Sequence, residues 1–205
     1  MKNKMILVAI VAILSFGGFL NSCKEDTEPE VKQLTTEEKD DLLALREEEK
    51  LARDVYIYAY EKYGMSVSNN ISQSEQKHMD KVLEILTDYG LSDPAASENG
   101  VFHNTELQTI YDALIIKVDS SDIDALLVGA TVEDLDIRDI EDFINRTDKE
   151  EILAMYESLV CGSRNHMRAY YGRLQDEGVT YTAQYISQED LDIIVNGNHE
   201  SCGSN

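Results

Sequence analysis

Four segments of this chain each place acidic or imidazole side chains where helical spacing calls for an apolar one. In the stretch "SEQKHM", Glu75 and His78 fall in register with Ile71, Val82 and Ile85. Residues three and four apart share one helix face, so these two groups point where their neighbours build a core. Glu49 does the same among Leu42, Leu45, Ala52 and Tyr56. Glu133 interrupts Leu126, Ala130, Ile137 and Ile140, and His166 interrupts Ile152, Met155, Leu159 and Ala169. Burying one isolated carboxylate costs several kcal/mol. Four such interruptions at one level make physical sense around a shared cation, and a pair of metal ions is the simplest arrangement. A lone histidine on such a stripe is more often a satisfied core residue, and a lone glutamate often reaches solvent. Coincidence in all four stripes carries the inference.

The elements needed to position these groups are helices. Glycine is sparse, no stretch alternates with a period of two, and apolar residues recur at spacings of three and four. The spacing predicts helices over about 37–63, 71–89, 121–145 and from Thr147 onward. Ser121 is placed as an N-cap, and Thr147 with Glu150 reads as a capping box. About thirty residues, 90–120, separate the second helix from the third. They contain a further helical pattern, "NTELQTIYDALIIKV", capped by Asn104 or Thr105, as a long crossover requires. The tail "ISQEDLDIIVNG" predicts a short helix after Ser187. The fold class is all-α: a four-helix bundle with a helix-containing crossover between helices 2 and 3 and a short C-terminal helix.

Among Glu47, Glu48 and Glu49, phase selects Glu49, and the others read as a solvated run, as do Arg53 and Asp54. His103 falls in the loop "DPAASENGVFHN" and reads as a surface residue. His199 falls near the chain end, where disorder is expected.

The same residues carry a resemblance. "EKLARDVY" (49–56), "SEQKHMDKV" (74–82), "GATVEDLDIRDI" (129–140) and "LVCGSRNHMRAYYGRL" (159–174) resemble the four metal-binding helices of rubrerythrin and ferritin-like proteins. The word order is most similar to a bacterial ferritin-like family catalogued as domain of unknown function 2202. The resemblance implies a ferritin-like bundle at 37–178 and a centre of two transition-metal ions, iron first, with manganese or zinc as alternatives. One departure stands out. The family pattern takes Glu-x-x-His from two helices, but the residue three before His166 is Ser163. Asp136, one turn after Glu133, is the carboxylate that would restore the inventory, although a solvent-facing role is equally open to it. The ligand set is then Glu49, Glu75, His78, Glu133, Asp136 and His166. Asn165, Arg53 and Arg168 are candidates to orient the imidazoles. Tyr56, Tyr60, Tyr170 and Tyr171 fall near the centre, as core filling or as electron or hydrogen-bond donors to bound oxygen species.

The N-terminus points to export. Lys2 and Lys4 precede an apolar run, Met5–Phe19, that is shorter than the roughly 20 residues of a membrane span and matches a signal sequence. "LNSC" (20–23) resembles the lipobox of bacterial lipoproteins. That implies cleavage after residue 22, lipidation of Cys23 as a membrane anchor, an acidic tether over 23–36, and a place in the cell envelope as an outer-membrane lipoprotein facing the periplasm or the surface. The 179–205 segment reads as a C-terminal extension. With 18 basic and 40 acidic residues in 205, net charge −22, nucleic acid is excluded as a partner. Whether Cys161 and Cys202 pair is left open by the sequence. So is the oligomeric state.

Three functions fit. One is a di-metal oxidoreductase reacting with peroxide or dioxygen, which needs an external reductant because the chain lacks a Cys-rich iron domain. The others are a metal-binding or sensing protein without catalysis, and a structural bundle whose site Ser163 has degraded.

Overall fold

A computed structural model describes residues 33–203. The apolar leader, Cys23 and most of the tether lie outside these residues. Six α-helices run in the order α1 (Thr36–Tyr63), α2 (Ser66–Asp88), α3 (Thr105–Val118), α4 (Asp122–Ile144), α5 (Glu150–Asp176) and α6 (Gln188–Asn196). Among the described residues there is no strand, and no helix is long and apolar enough to cross a membrane.

The bundle is two helical hairpins face to face. α1 packs on α2 and α4 on α5; α1–α4 and α2–α5 contacts close the four-helix core. α3, within the crossover, lies across α1 and α4, and α6 lies on α5. Leu42, Leu45, Val82, Ile140, Ile152 and Leu159 are fully buried along the shared axis, at the positions the apolar stripes assign to the core.

Local chemistry sets the ends. Thr35 caps α1 with a reciprocal box: its side chain accepts from Glu38 N (3.1 Å) and Glu38 Oε2 accepts from Thr35 N (2.8 Å). Gly64 stops α1 in the left-handed region, φ +69°, where a side chain would be strained. Asn104, Ser121 and Ser187 cap α3, α4 and α6 with their side chains.

Two element boundaries differ from expectation. α2 starts at Ser66, five residues before Ile71, because the polar "SVSNN" segment continues the helix, with Ser68 packed inward. At α5 the expected Thr147–Glu150 box does not form; the N-cap is Lys149, without a side-chain cap. Thr147 Oγ1 is engaged elsewhere, donating to Glu38 Oε1 at 2.6 Å. Lys149 Nζ donates to both Glu38 oxygens at 2.8 Å. The start of α5 is thus tied to the cap of α1.

Asp54 is not an exposed charge. It is 1% accessible and organises the crossover loop: Lys50, itself fully buried, and Arg53 donate to its carboxylate, as does Gly100 N at 2.8 Å. Lys50 Nζ also donates to Glu98 O at 2.9 Å and lies 4.4 Å from the Phe102 ring centroid. A buried ion pair is tolerable when hydrogen bonds satisfy its remaining atoms, and here they pin the loop to α1. The chain end is held as well. Cys161 and Cys202 form a disulfide across 41 residues, and Glu200 receives Arg164 and Arg168 (2.5 and 2.7 Å). His199, expected to be disordered, lies exposed within this tethered tail; His103 is exposed as expected.

Candidate metal centre

The five in-phase residues meet in the middle of the bundle. Glu49 comes from α1, Glu75 and His78 from α2, Glu133 from α4 and His166 from α5. Their exposures are 1%, 1%, 5%, 1% and 7% respectively. Glu75 is the hub. Its Oε2 lies 2.8 Å from His78 Nδ1 and its Oε1 lies 2.8 Å from His166 Nδ1. Glu49 Oε2 approaches His78 Nδ1 at 3.2 Å, and Glu133 Oε2 approaches His166 Nδ1 at 3.5 Å. The two imidazoles lie nearly parallel, ring centroids 5.4 Å apart. The result is one shared carboxylate flanked by two arms, each with one more carboxylate and one imidazole.

Several of these atoms converge without hydrogen-bonding. Glu49 Oε1, Glu75 Oε2 and His166 Nδ1 are buried and have no hydrogen-bond partner. Buried polar atoms are nearly always satisfied; here Glu75 Oε2 lies 2.8 Å from His78 Nδ1 and His166 Nδ1 lies 2.8 Å from Glu75 Oε1, yet Glu75 Oε2 and His166 Nδ1 have no hydrogen-bond partner, as groups aimed at a common third point would be. Glu75, His78 and His166 form a buried group whose ligand atoms all lie within 4.8 Å of one another, which could hold a metal ion. Carboxylate oxygen and imidazole nitrogen are the donor set of iron, manganese and zinc.

The field inside the cluster is strong. Burial pushes Glu49 and Glu133 up to about 7, reinforced by the charge of Glu75 and opposed by His78 and His166 respectively. Burial acts the same way on Glu75, but the two imidazoles outweigh it and hold this carboxyl well below its ordinary value. Burial disfavours charged His78, yet Glu49 and Glu75 lift it to about 10. A multivalent cation among these groups would compensate the same carboxylates.

Asp136 is half-buried beside the five. It accepts a hydrogen bond from Ser163 Oγ, and Ser163 is itself fully buried. Burial, then the charges of Glu49, Glu133 and Glu75, raise its pKa well above the usual carboxylate range. The serine that breaks the Glu-x-x-His spacing on α5 thus holds a carboxylate delivered from α4.

The supporting residues differ from those expected. Arg53 binds Asp54 and Gln76, while Asn165 and Arg168 bind each other and the 194–200 tail; no hydrogen bond or ion pair joins any of the three to the imidazoles. Tyr56 is the partner that matters: its hydroxyl donates to Glu133 Oε1 at 2.6 Å. Its ring lies tilted by 52° against that of Tyr170, centroids 5.3 Å apart, and the Tyr170 hydroxyl donates to Ser68 Oγ at 3.3 Å. Tyr60 is instead 41% exposed and lies outside the cluster. Nor are Glu47 and Glu48 a solvated run: Glu47 is buried, and burial beside Asp139 and Glu49 raises Glu48 to about 8. Gly162 makes room for the site. A Cβ there would lie 2.6 Å from His78 Nε2.

The domain described as "Uncharacterized protein domain (DUF2202)" matches residues 38–198, a span that holds the whole cluster. The chain belongs to the DUF2202 family. It is similar to "Uncharacterized protein MJ0754" of Methanocaldococcus jannaschii, 48% identical over 168 residues, covering 82% of this chain and 91% of that protein. The crystal structure titled "hypothetical protein MJ0754 from Methanococcus jannaschii DSM 2661" superposes with a TM-score of 0.81 at 47% identity, covering 85% of this chain and 99% of that one. This DUF2202 bundle therefore has a counterpart of the same fold across nearly the full length of the archaeal protein.

Proposed function

We propose that this DUF2202 protein is a ferritin-like di-metal carboxylate protein, with iron as the first candidate for both ions. The observation that carries this reading is Glu75, set between two imidazole Nδ1 atoms at 2.8 Å on either side, with Glu49 and Glu133 completing two equivalent arms. Two cations sharing one carboxylate would use every one of these groups; one cation would leave an arm as an uncompensated buried acid. Asp136, held by Ser163, is the sixth candidate and stands in for the carboxylate α5 lacks.

The residues fit such a pair. The cluster presents unpartnered buried donors, and Gly162 keeps His78 free to turn its Nδ1 inward. Glu75, His78 and His166 would hold the ions together with Glu49 and Glu133, and Tyr56 would orient Glu133. Bound iron would supply electrons for the reduction of peroxide or dioxygen. The second reading is metal capture or sensing without turnover, favoured by the acidic excess of the chain, 40 acidic against 18 basic residues, which attracts cations. The leader and Cys23 support attachment to the cell envelope under either reading.

Elemental analysis of the purified protein tests the centre. About two transition-metal ions per chain are expected, falling to background in the Glu75→Ala, His78→Ala double variant. Metal-free wild-type protein that takes up no iron, manganese or zinc would end this reading. Peroxide consumption after ferrous loading with an added reductant separates turnover from capture.

A further inference from the structure

Between α3 and the bundle lies a cavity of about 140 Å³. Its walls are apolar: Leu51 and Ala52 from α1, Leu107 and Ile110 from α3, Val132 and Leu135 from α4. It has a polar side, where Glu48, Asp136 and Asp139 stand. Tyr185, from the segment before α6, also lines it. Arg138 lies over the Tyr185 ring, 5.5 Å from its centroid, and is paired with Asp139 at 2.7 Å. Three features set this cavity apart from a packing defect. Interiors seldom leave voids much larger than a water molecule, and cavities of about 150 Å³ with apolar walls accept benzene-sized guests. Its cover is thin: Val118 alone among the residues of α3 is fully inside the core, while Ile110 is 45% exposed. Its polar side includes Asp136, whose other contact is Ser163, three residues before His166.

The lining decides what fits. It offers three carboxyl groups and no basic side chain, so an anion would be desolvated without a partner. A sugar would leave most of its hydroxyls against leucine and isoleucine. We infer that this cavity binds a small uncharged organic molecule, apolar over most of its surface and with one hydrogen-bonding head, and presents that head to Asp136 at the edge of the proposed metal centre. The destination rests on the metal-centre reading; the cavity itself does not. A guest of about six or seven non-hydrogen atoms fills the volume. It enters by displacement of α3 or Tyr185, and its head finds Asp136 as hydrogen-bond partner.

The test uses 1-hexanol as probe and hexanoate as its charged counterpart, with methyl-labelled purified protein in the metal-free state. Hexanol is expected to shift the methyl signals of Leu51, Ala52 and Leu135, and hexanoate at neutral pH to bind at least about tenfold more weakly. Ala52→Leu fills the cavity from α1, and Ile110→Trp fills it from the half-exposed side of α3, where folding tolerates the change. Each is expected to weaken hexanol about tenfold or more with metal content unchanged. Methyl signals that do not move, equal binding of hexanoate, or unaltered affinity in both filled variants that fold would overturn the cavity assignment. Mn(II)-loaded protein then tests the destination, because bound hexanol protons should broaden near the paramagnetic ion. Hexanol that binds this loaded protein without broadening overturns the link to the centre. Failure of Mn(II) to bind at all is read separately, from metal content, and counts against the metal reading while the metal-free titration still decides the cavity.

Discussion

At the scale of single residues, the site is legible wherever phase alone places a side chain inward. Glu49, Glu75, His78, Glu133 and His166 all follow from helical spacing, and all five are buried together. Contacts set by distant segments leave no such trace. Asp54 pairs with its near neighbours Lys50 and Arg53 but also accepts from Gly100, 46 residues on, and nothing near position 54 announces that last contact. Tyr56 fits the core stripe as well as it fits a carboxylate partner, so only the 2.6 Å bond to Glu133 distinguishes the two roles. Gly162 has a role that is steric and invisible in a one-dimensional pattern. A Gly162→Ala change gains helix propensity of about 1 kcal/mol, yet places a methyl 2.6 Å from His78 Nε2. His78 must then rotate. The expected result is a metal affinity lowered about 10–100-fold while the metal-free melt stays within about 1 kcal/mol of wild type; calorimetric metal titration beside a thermal melt checks both. Tyr56→Phe should act differently. It strands a buried carboxylate oxygen, so the metal-free protein should lose about 1–3 kcal/mol, measured by urea unfolding, and a melt equal to wild type would show the bond to be unimportant.

At the scale of elements, six helices and three of their N-caps are readable, because Asn104, Ser121 and Ser187 precede apolar stripes directly. The α5 start was misread for a physical reason: Thr147 has the sequence neighbours of a cap, but its hydroxyl is taken by Glu38 from α1. That cross-helix tie has a pH signature. Burial alone would raise the Glu38 carboxyl, but Lys149, Thr147 and the Thr35 amide together depress it to about 2 from 4.5. A carboxyl with a depressed folded-state pKa adds stability fully above its unfolded value and loses it as pH falls through the folded one. The tie should therefore be intact above about pH 4.5 and vanish toward pH 2. Glu38→Gln is expected to destabilise by about 1–2 kcal/mol at pH 7, allowing for the partly solvated lysine, with the difference from wild type shrinking below pH 4. Denaturant melts of both proteins at pH 7, 4 and 2.5 decide it; a constant difference would assign the effect to packing instead.

At the scale of the whole molecule, the described chain is closed at its C-terminal side by a bond the sequence leaves undecided. Two cysteines 41 residues apart carry no pairing information until α5 and the tail are docked. In the structure the disulfide, the Glu200 pairs with Arg164 and Arg168, and Asn165 Nδ2 donating to Glu200 O at 3.0 Å converge on one face of α5. That face is opposite in role to the one carrying Gly162, Ser163 and His166. Closing a loop of this length restricts the unfolded chain by about 4 kcal/mol in the chain-entropy model. The tail's ion pairs are partly solvated and contribute less. Cys161→Ser with Cys202→Ser should thus lower the unfolding free energy by about 2–4 kcal/mol and free the tail for proteolysis after α6. The proposed metal ligands reside on α1, α2, α4 and the inward face of α5, so metal stoichiometry should be retained. Parallel unfolding curves, limited proteolysis and elemental analysis on the double variant measure the three effects. Loss of metal together with the disulfide would mean that the tail braces His166 through Asn165 and Arg168, and that the α5 register is not set by the bundle core alone.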